Sequence, residues 1–244
     1  MSYATQVLDL ARAVTETQRE AVRQAATLLV ASLKAGGVVN AFGSGHSEAI
    51  AMEIAGRAGG LVPSNRLTPR DLVLYGGQPT SVLTSELERD PTVARQILDL
   101  APVAPQDVFV LISSSGVNGV VVELAALVKE RGHPLIAITS VQHSTRMTSR
   151  HPSGRKLMDL ADVVLDNGAP YGDAILDLPG GGTYGAVSTI TSALLAQLMV
   201  TQAVEELVAS GETPPIYLSA NVAGGDEHNK ALEQRYAGRI RRGA

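Results

Sequence analysis

Apolar positions along the chain follow two different spacings, and each spacing predicts a different element. In the first 34 residues, apolar side chains such as Val7, Val14 and Leu28 recur on one face of a 3.6-residue period. This pattern predicts one amphipathic helix over residues 3–34, ended by Gly36-Gly37. Further along, short runs rich in β-branched residues are bounded by glycine and polar residues, which predicts strands. The predicted strands are 38–42, 107–112, 135–139, 162–166 and 174–178.

Helical segments separate these predicted strands. Helices are predicted at 48–58, 90–100, 118–131, 184–209 and 226–242, whereas 61–83 is predicted to be irregular. Strands that alternate with helices predict a parallel sheet covered on both faces. Since no internal repeat and no linker interrupts the chain, we predict a single α/β domain over residues 1–244. Its core would be a doubly wound parallel five-stranded sheet flanked by helices, in a three-layer sandwich.

The segment from residue 184 to residue 204 contains no charged side chain. Its length would allow a membrane span, but it carries several hydroxyl and amide side chains and has no flanking cluster of Lys or Arg. We interpret it as a helix buried in the core or in a subunit interface. Together with the N-terminal helix, it is predicted to pack across a homodimer.

The composition indicates which classes of binding partner and which cellular compartment to expect. Aromatic residues make up 3% of the 244 residues and the formal net charge is −4, which disfavours the stacking platforms and basic surfaces of nucleic-acid-binding proteins. The absence of Cys excludes disulfides and thiolate chemistry. The first residues lack the basic and apolar segments of a signal peptide, so a cytoplasmic protein is expected.

Two turns rich in Ser and Gly each follow a predicted strand and open a predicted helix. The first is Gly43-Ser-Gly-His-Ser47, and the second is Ser113-Ser-Ser-Gly116. Both turns would lie at the carboxyl edge of a parallel sheet, where such folds bind ligands. Backbone N–H groups at a helix start and serine hydroxyls both donate hydrogen bonds to anions, so the pair predicts a phosphate site.

Other phosphate-binding motifs fit less well. Glu48 occupies the position where the dinucleotide fingerprint places its third glycine, and the chain has no Gly-Lys-Ser/Thr of a Walker P-loop. The sequence therefore favours a phosphate on a small molecule over NAD or ATP.

These residues resemble the SIS (sugar isomerase) domain family. Ser113-Ser-Ser-Gly116 is similar to the family's Ser-x-Ser-Gly phosphate turn, and Gly43-Ser-Gly-His-Ser47 to its first sugar-phosphate turn. Segments 149–154, 166–173 and 221–229 resemble a stand-alone bacterial subfamily, related to phosphoheptose isomerase and N-acetylmuramic acid 6-phosphate etherase. The resemblance implies an SIS-type, flavodoxin-like fold and a small-molecule sugar phosphate as ligand, with no metal or other cofactor.

The resemblance also implies which residues bind and which react. The expected substrate-binding residues are Ser44, His46, Ser47, Ser113, Ser114, Ser115 and Asn118. The shared chemical step of the family's isomerases and lyases is proton abstraction beside the carbonyl of an opened sugar, which needs a positioned acid–base group. Glu88 is our first candidate for this base and Glu86 the second, with Glu48 and His228 as further candidates. His228 would come from a neighbouring subunit, so that two subunits share an active site.

The resulting functional hypothesis is an enzyme acting on a hexosamine 6-phosphate, such as N-acetylglucosamine 6-phosphate. It would abstract the C2 proton and act as a lyase or dehydratase, or as an aldose–ketose isomerase. The alternative is a non-catalytic sugar-phosphate sensor or regulatory protein. Both hypotheses need the serine turns, but only the enzyme needs the carboxylates.

Overall fold

The computed structural model describes residues 2–242. The helices are α1 (Tyr3–Thr17), α2 (Arg19–Lys34), α3 (Glu48–Ile54), α4 (Asp71–Leu74), α5 (Thr92–Leu100), α6 (Gly119–Glu130), α7 (Val141–Arg146), α8 (Leu157–Leu160), α9 (Ser188–Ala209) and α10 (Gly225–Arg235). The strands are β1 (Val39–Gly43), β2 (Ser64–Leu67), β3 (Val108–Ile112), β4 (Leu135–Thr139), β5 (Val163–Asp166), β6 (Ala174–Asp177) and β7 (Thr183–Ala186).

Five of these strands form one parallel sheet in the order β2-β1-β3-β4-β5. Helices cover both faces, so the predicted doubly wound, flavodoxin-like sandwich is confirmed. α2, α3 and α9 pack on one face, with Leu29, Ile54 and Met199 in that core layer. α5, α6 and α8 pack on the other face, around Phe42 and Phe109.

The fifth strand of the sheet is not the one that the sequence predicts. β2 lies inside the segment 61–83, which was predicted to be irregular, because this edge strand carries the polar residues Ser64, Asn65 and Arg66 and shows no apolar period. Its outer side is covered by the C-terminal segment: Asn65 Nδ2 donates to the Arg239 carbonyl at 2.9 Å, and the Arg241 N–H donates to Asn65 Oδ1 at 2.8 Å. The predicted strand 174–178 exists as β6, but it pairs with β7 in a separate antiparallel hairpin.

Several helix boundaries also differ from the prediction. The helix predicted at 3–34 is interrupted at Gln18, whose side-chain oxygen accepts the backbone N–H of Asp166 at 2.9 Å, so the junction is tied to the end of β5. The helix predicted at 184–209 begins only at Ser188, since the preceding residues form β7. The helix predicted at 226–242 ends at Arg235, and α3 ends at Ile54, just before Gly56 with a φ of +82°.

From Ser188 onward, the uncharged segment is part of a core helix. Leu195, Met199 and Ala203 of α9 are buried against α2 and α3. No helix in the described range 2–242 is both long enough and apolar enough to cross a membrane.

The helices change sides of the sheet between β1 and β3. α3 follows β1 and packs on one face, whereas α6 follows β3 and packs on the opposite face. In doubly wound folds this change opens a crevice beyond the carboxyl ends of the two strands, and ligands bind there.

Candidate functional site

The two serine turns lie side by side at this crevice. Gly43 at the end of β1 is in register with Ile112 at the end of β3, so both turns leave the sheet at the same height. The first turn continues as a single 3-10 turn, Gly45–Ser47, into α3. The second turn leads into α6.

The second turn is organised around a serine hydroxyl. Ser113 Oγ accepts the N–H of Gly116 at 3.1 Å, and Gly116 has a φ of +65°, which a glycine adopts without strain. Asn118 occupies the N-cap position of α6, yet its side chain makes no capping hydrogen bond. The Asn118 side-chain oxygen therefore does not occupy the free backbone N–H groups at the start of α6.

The three serines of this turn differ in their partners. The Ser114 hydroxyl oxygen is buried and makes no hydrogen bond, and within residues 2–242 the half-buried Ser115 hydroxyl makes none either. Ser113 contributes to the turn itself. The Ser113 hydroxyl therefore stabilises the turn, whereas the hydroxyls of Ser114 and Ser115 make no hydrogen bond within residues 2–242.

A cleft of about 570 Å³ opens beside the first turn. Its polar lining comes from Ser44, Gly45, Glu48, Arg66, Thr68, Arg70, Thr80, Thr84 and Glu88. Its apolar lining comes from Pro69, Val73, Leu74, Leu83 and Leu87. Of the predicted substrate-binding residues, Ser44 belongs to this lining. The others do not line the cleft: His46, Ser47, Ser113, Ser114, Ser115 and Asn118. His46 is exposed and Ser47 is half-buried.

Glu88 bridges the two turns. It is half-buried at the end of a 3-10 turn, Ser85–Glu88. Its Oε2 atom accepts a long hydrogen bond from Asn118 Nδ2 at 3.4 Å, and its Oε1 atom lies against the backbone of Gly45. The carboxylate therefore contacts the residues that follow β1 and the residue that opens α6.

Glu86 does not share this environment. Residues two apart in a 3-10 turn are rotated by about 240°, so the expectation that Glu86 and Glu88 face the same side is wrong. The Glu86 side chain is 72% exposed and pairs with Arg89 at 3.4 Å.

Glu48 lies in the cleft among arginines. Its side chain is 16% exposed, and its carboxylate oxygens lie 3.8 Å from Arg66 and 3.8 Å from Arg70. α3 begins at Glu48, so the carboxylate also sits favourably at a helix start.

A buried carboxylate supports the wall that carries these arginines. Asp71 accepts the N–H of Thr68 at 3.3 Å and lies 3.4 Å from the Arg241 guanidinium. Burial raises the pKa of Asp71 to about 6, against the opposing influence of these partners.

The comparisons with known proteins agree with this architecture. The model of a family described as "SIS domain" matches residues 2–140. The chain belongs to the SIS domain family. A UPF0309 protein of Listeria monocytogenes is 41% identical over 237 residues, which cover 95% of this chain and 96% of the relative. A UPF0309 protein of Halalkalibacterium halodurans is 41% identical over 224 residues, with 91% of each chain covered.

Solved structures of the same fold include two phosphoheptose isomerases. The one from Francisella tularensis has a TM-score of 0.57 at 17% identity, covering 83% of this chain and 95% of the other. The one from Neisseria gonorrhoeae has a TM-score of 0.53 at 22% identity, covering 82% and 94%. The Vibrio vulnificus NanR protein complexed with ManNAc-6P has a TM-score of 0.50 at 16% identity, covering 96% and 66%. These structures support the fold of this SIS domain.

Within one protomer of this SIS domain, His228 lies away from the cleft. It is exposed on α10, and its Nε2 atom lies 3.0 Å from the carbonyl oxygen of Ile216. Ile216 in turn bridges to Leu61, which precedes β2 at the amino edge of the sheet. A role for His228 in the site therefore remains a prediction that requires a second protomer.

Three arginines near the site were not among the predicted site residues. Arg66 and Arg70 come from the segment predicted to be irregular. Their position at the cleft could have been predicted only if the edge strand β2 had been predicted. Arg150 lies in the connection between α7 and α8, and its guanidinium donates to Asn118 Oδ1 at 2.9 Å. No spacing in the sequence signals that contact.

Proposed function

We propose that this SIS-domain protein is an enzyme that acts on a hexosamine 6-phosphate and removes the C2 proton of the opened sugar. The observation that carries this proposal is the position of Glu88, whose carboxylate bridges Gly45 and Asn118 between the two turns. A base for this step must lie within reach of a sugar whose phosphate is held by the same turns.

The phosphate would be held by Ser44, by the serines of the 113–116 turn and by the N-terminus of α6. Supporting observations are the unengaged Ser115 hydroxyl and the absence of a capping side chain on α6. Backbone N–H groups and hydroxyls bind a phosphate without a lysine, because the helix dipole adds partial positive charge at this point.

The choice of an N-acetylated amino sugar rests on the apolar wall of the cleft. Val73, Leu74 and Leu83 give this wall an apolar surface suited to the methyl group of an acetamido substituent. The volume of about 570 Å³ lies within the usual range of small-molecule sites. The NanR structure, whose ligand is ManNAc-6P, makes an acetamido sugar phosphate a sensible first substrate to try.

The proposed reaction begins with the open-chain aldehyde. Glu88 accepts the proton from C2, and the C–H electron pair is delocalised onto the C1 carbonyl oxygen. In an elimination, that pair returns to form the C2–C3 double bond while the C3 hydroxyl leaves as water after protonation. In an aldose–ketose isomerisation, a proton is instead delivered to C1 while the nitrogen on C2 loses its proton, which gives a C2=N bond. Water hydrolyses this bond to the C2 ketone and releases ammonia or, from an acetamido sugar, acetamide. Glu48 would hold Arg66 and Arg70 at the cleft.

We also propose a homodimer. Leu8 of α1 and Ile190 and Val208 of α9 are exposed apolar residues on the two helices predicted to pack across subunits. A second protomer could bring its His228 to this cleft, which one protomer does not do. Analytical ultracentrifugation tests this proposal, and a monomer at micromolar concentration would contradict it.

A panel of hexose, heptose and hexosamine 6-phosphates, acetylated and free, tests the proposed function. Each compound is incubated with the purified protein and followed by mass spectrometry and NMR. We expect turnover of an acetamido sugar phosphate, either with loss of 18 mass units of water or with formation of a ketose phosphate and release of acetamide. Tight binding of a sugar phosphate without turnover of any compound would refute the enzyme and favour the sensor.

A further inference from the structure

The segment between α7 and α8 is fixed to the phosphate turn. Its backbone makes two hydrogen bonds there: the N–H of Arg150 donates to the Val117 carbonyl at 2.9 Å, and the N–H of Leu157 donates to the Gly116 carbonyl at 2.8 Å. A side-chain pair adds to these, since His151 Nε2 lies 2.8 Å from Glu123 Oε2. The segment is therefore an ordered cover on the start of α6.

This attachment brings an arginine to Asn118. The Arg150 guanidinium donates to Asn118 Oδ1 at 2.9 Å, and the other end of the same amide donates to Glu88 Oε2 at 3.4 Å. Because a guanidinium has only hydrogen-bond donors, Arg150 binds the oxygen of the Asn118 amide. The amide nitrogen then faces the Glu88 carboxylate. The three side chains form one hydrogen-bonded chain from the cover to the proposed base.

The occupied amide changes the role of Asn118. Its oxygen is taken by Arg150, and one of its two N–H groups is taken by Glu88. One N–H remains for a ligand. The amide is therefore better suited to orient the carboxylate than to hold the phosphate.

We propose that Arg150 is a positioning residue for Glu88, acting through Asn118 to keep the carboxylate between the two turns. The inference rests on the proposed function, because it assigns Glu88 the part of the base. The Arg150 side chain is exposed, so solvent screens its charge over the distance to Glu88. Arg150 therefore acts on Glu88 by fixing its position. Displacement of the base lowers kcat far more than it weakens substrate binding.

The kinetic test compares Arg150→Ala, Arg150→Lys and Arg155→Ala. Arg155 is an exposed arginine of the same segment that contacts the Asp159 carbonyl and serves as the matched control. For Arg150→Ala we expect kcat to fall about 10- to 100-fold with KM within about threefold of the wild type. Arg150→Lys should recover part of the loss, and Arg155→Ala should behave as the wild type. A raised KM with unchanged kcat would overturn the proposal and make Arg150 a ligand of the phosphate.

A double-mutant cycle separates positioning from a general structural effect. If Arg150 acts only through Glu88, then Arg150→Ala causes no further loss of kcat in a Glu88→Gln background. If the fold-loss of kcat in the double variant equals the product of the two single losses, the two residues act independently and the proposal is contradicted.

A readout without turnover distinguishes this inference from the proposed function. The side-chain amide of Asn118 is observed by ¹⁵N–¹H NMR and assigned as the signal missing from Asn118→Asp. In Arg150→Ala, but not in Arg155→Ala, we expect this signal to shift and its hydrogens to exchange faster with solvent. If the wild type turns over no sugar phosphate but this result is obtained, the proposed function fails and the positioning contact stands. An Asn118 signal that is unchanged in Arg150→Ala would overturn the inference whatever the activity.

Discussion

The carboxylate of Glu88 lies so close to Gly45 that a Cβ on that glycine would be 2.7 Å from Glu88 Oε1. The two residues are 43 positions apart in sequence, and they meet because β1 ends where the 3-10 turn at Ser85–Glu88 closes the cleft. The glycine is therefore required twice, by its φ of +56° and by the space that the carboxylate needs.

Gly45→Ala is expected to lower turnover by displacing Glu88. The left-handed backbone conformation costs an alanine about 1 kcal/mol of unfolding free energy. Gly36→Ala is the matched control, because Gly36 has a φ of +74° with no atom within 4 Å of its Cβ position. Thermal unfolding should show similar destabilisation of both variants, while turnover should fall only in Gly45→Ala. Equal activity of the two variants would show that the Glu88 carboxylate is not needed at this place.

Substitutions of Ser113 and Ser115 are expected to have different effects on ligand affinity and on stability. Ser115→Ala removes a hydroxyl that has no hydrogen-bond partner among residues 2–242, so sugar-phosphate affinity should fall about 10-fold with an unchanged Tm. Ser113→Ala removes the acceptor of the Gly116 N–H and should also lower the unfolding free energy by about 1 kcal/mol. Calorimetric titration and thermal unfolding measure the two effects. A Ser115→Ala variant with full affinity would contradict the phosphate site.

Glu88→Gln and Glu86→Gln decide between two neighbouring carboxylates. Glu88→Gln keeps the shape of the side chain but removes its basicity, so kcat should fall about 10²- to 10⁴-fold while the ligand still binds. Glu86 is exposed and paired with Arg89, so Glu86→Gln should retain most of kcat. The opposite ranking of the two variants would transfer the role of base to Glu86.

Asp71 is expected to give the protein a pH-dependent stability. Burial raises the pKa of Asp71 to about 6 in the folded state, against the ordinary aspartate value of 3.8, so between these values the folded state binds more protons than the unfolded state. The stabilisation is fully present below pH 3.8 and is lost as the pH rises through 6. One pKa unit corresponds to about 1.4 kcal/mol, so the loss amounts to about 3 kcal/mol at most.

Asp71→Asn tests this dependence. The difference in unfolding free energy between the wild type and Asp71→Asn should fall as the pH is raised from 4.5 to 7, measured by urea denaturation. Asp177→Asn, at an exposed aspartate, controls for the change in net charge. A difference that is constant with pH would show that Asp71 titrates alike in both states.

The buried parallel strands were predictable from the sequence, and the polar edge was not. β4 matches its prediction over Leu135–Thr139, because five consecutive residues are buried and the run is bounded by a proline and a serine. β2 has the polar residues Asn65 and Arg66 in its centre and exists through pairing with β1 and cover by the C-terminal segment. Both interactions join residues far apart in sequence, and a local pattern contains neither.

The candidate site also has one part that could be predicted from the sequence and one part that could not. The serine turns could be predicted, since each lies between an apolar strand and a helix within one short segment. The contact of Glu88 with Asn118 joins positions 30 residues apart, and that of Arg150 with Asn118 joins positions 32 apart. These contacts depend on how the connections fold over the sheet edge, which no spacing encodes.

Exchange of the hydrogen at C2 reports directly on the proposed base, because both elimination and isomerisation pass through loss of that proton. The protein is incubated in D₂O with an N-acetylhexosamine 6-phosphate that it binds, and the H2 signal is followed by proton NMR. We expect the wild type to remove or replace H2 with deuterium and Glu88→Gln to leave it intact while still binding the sugar. An H2 signal that persists with the wild type under saturating binding would show that the protein does not remove the C2 proton, and one that exchanges equally fast with Glu88→Gln would show that Glu88 is not the base.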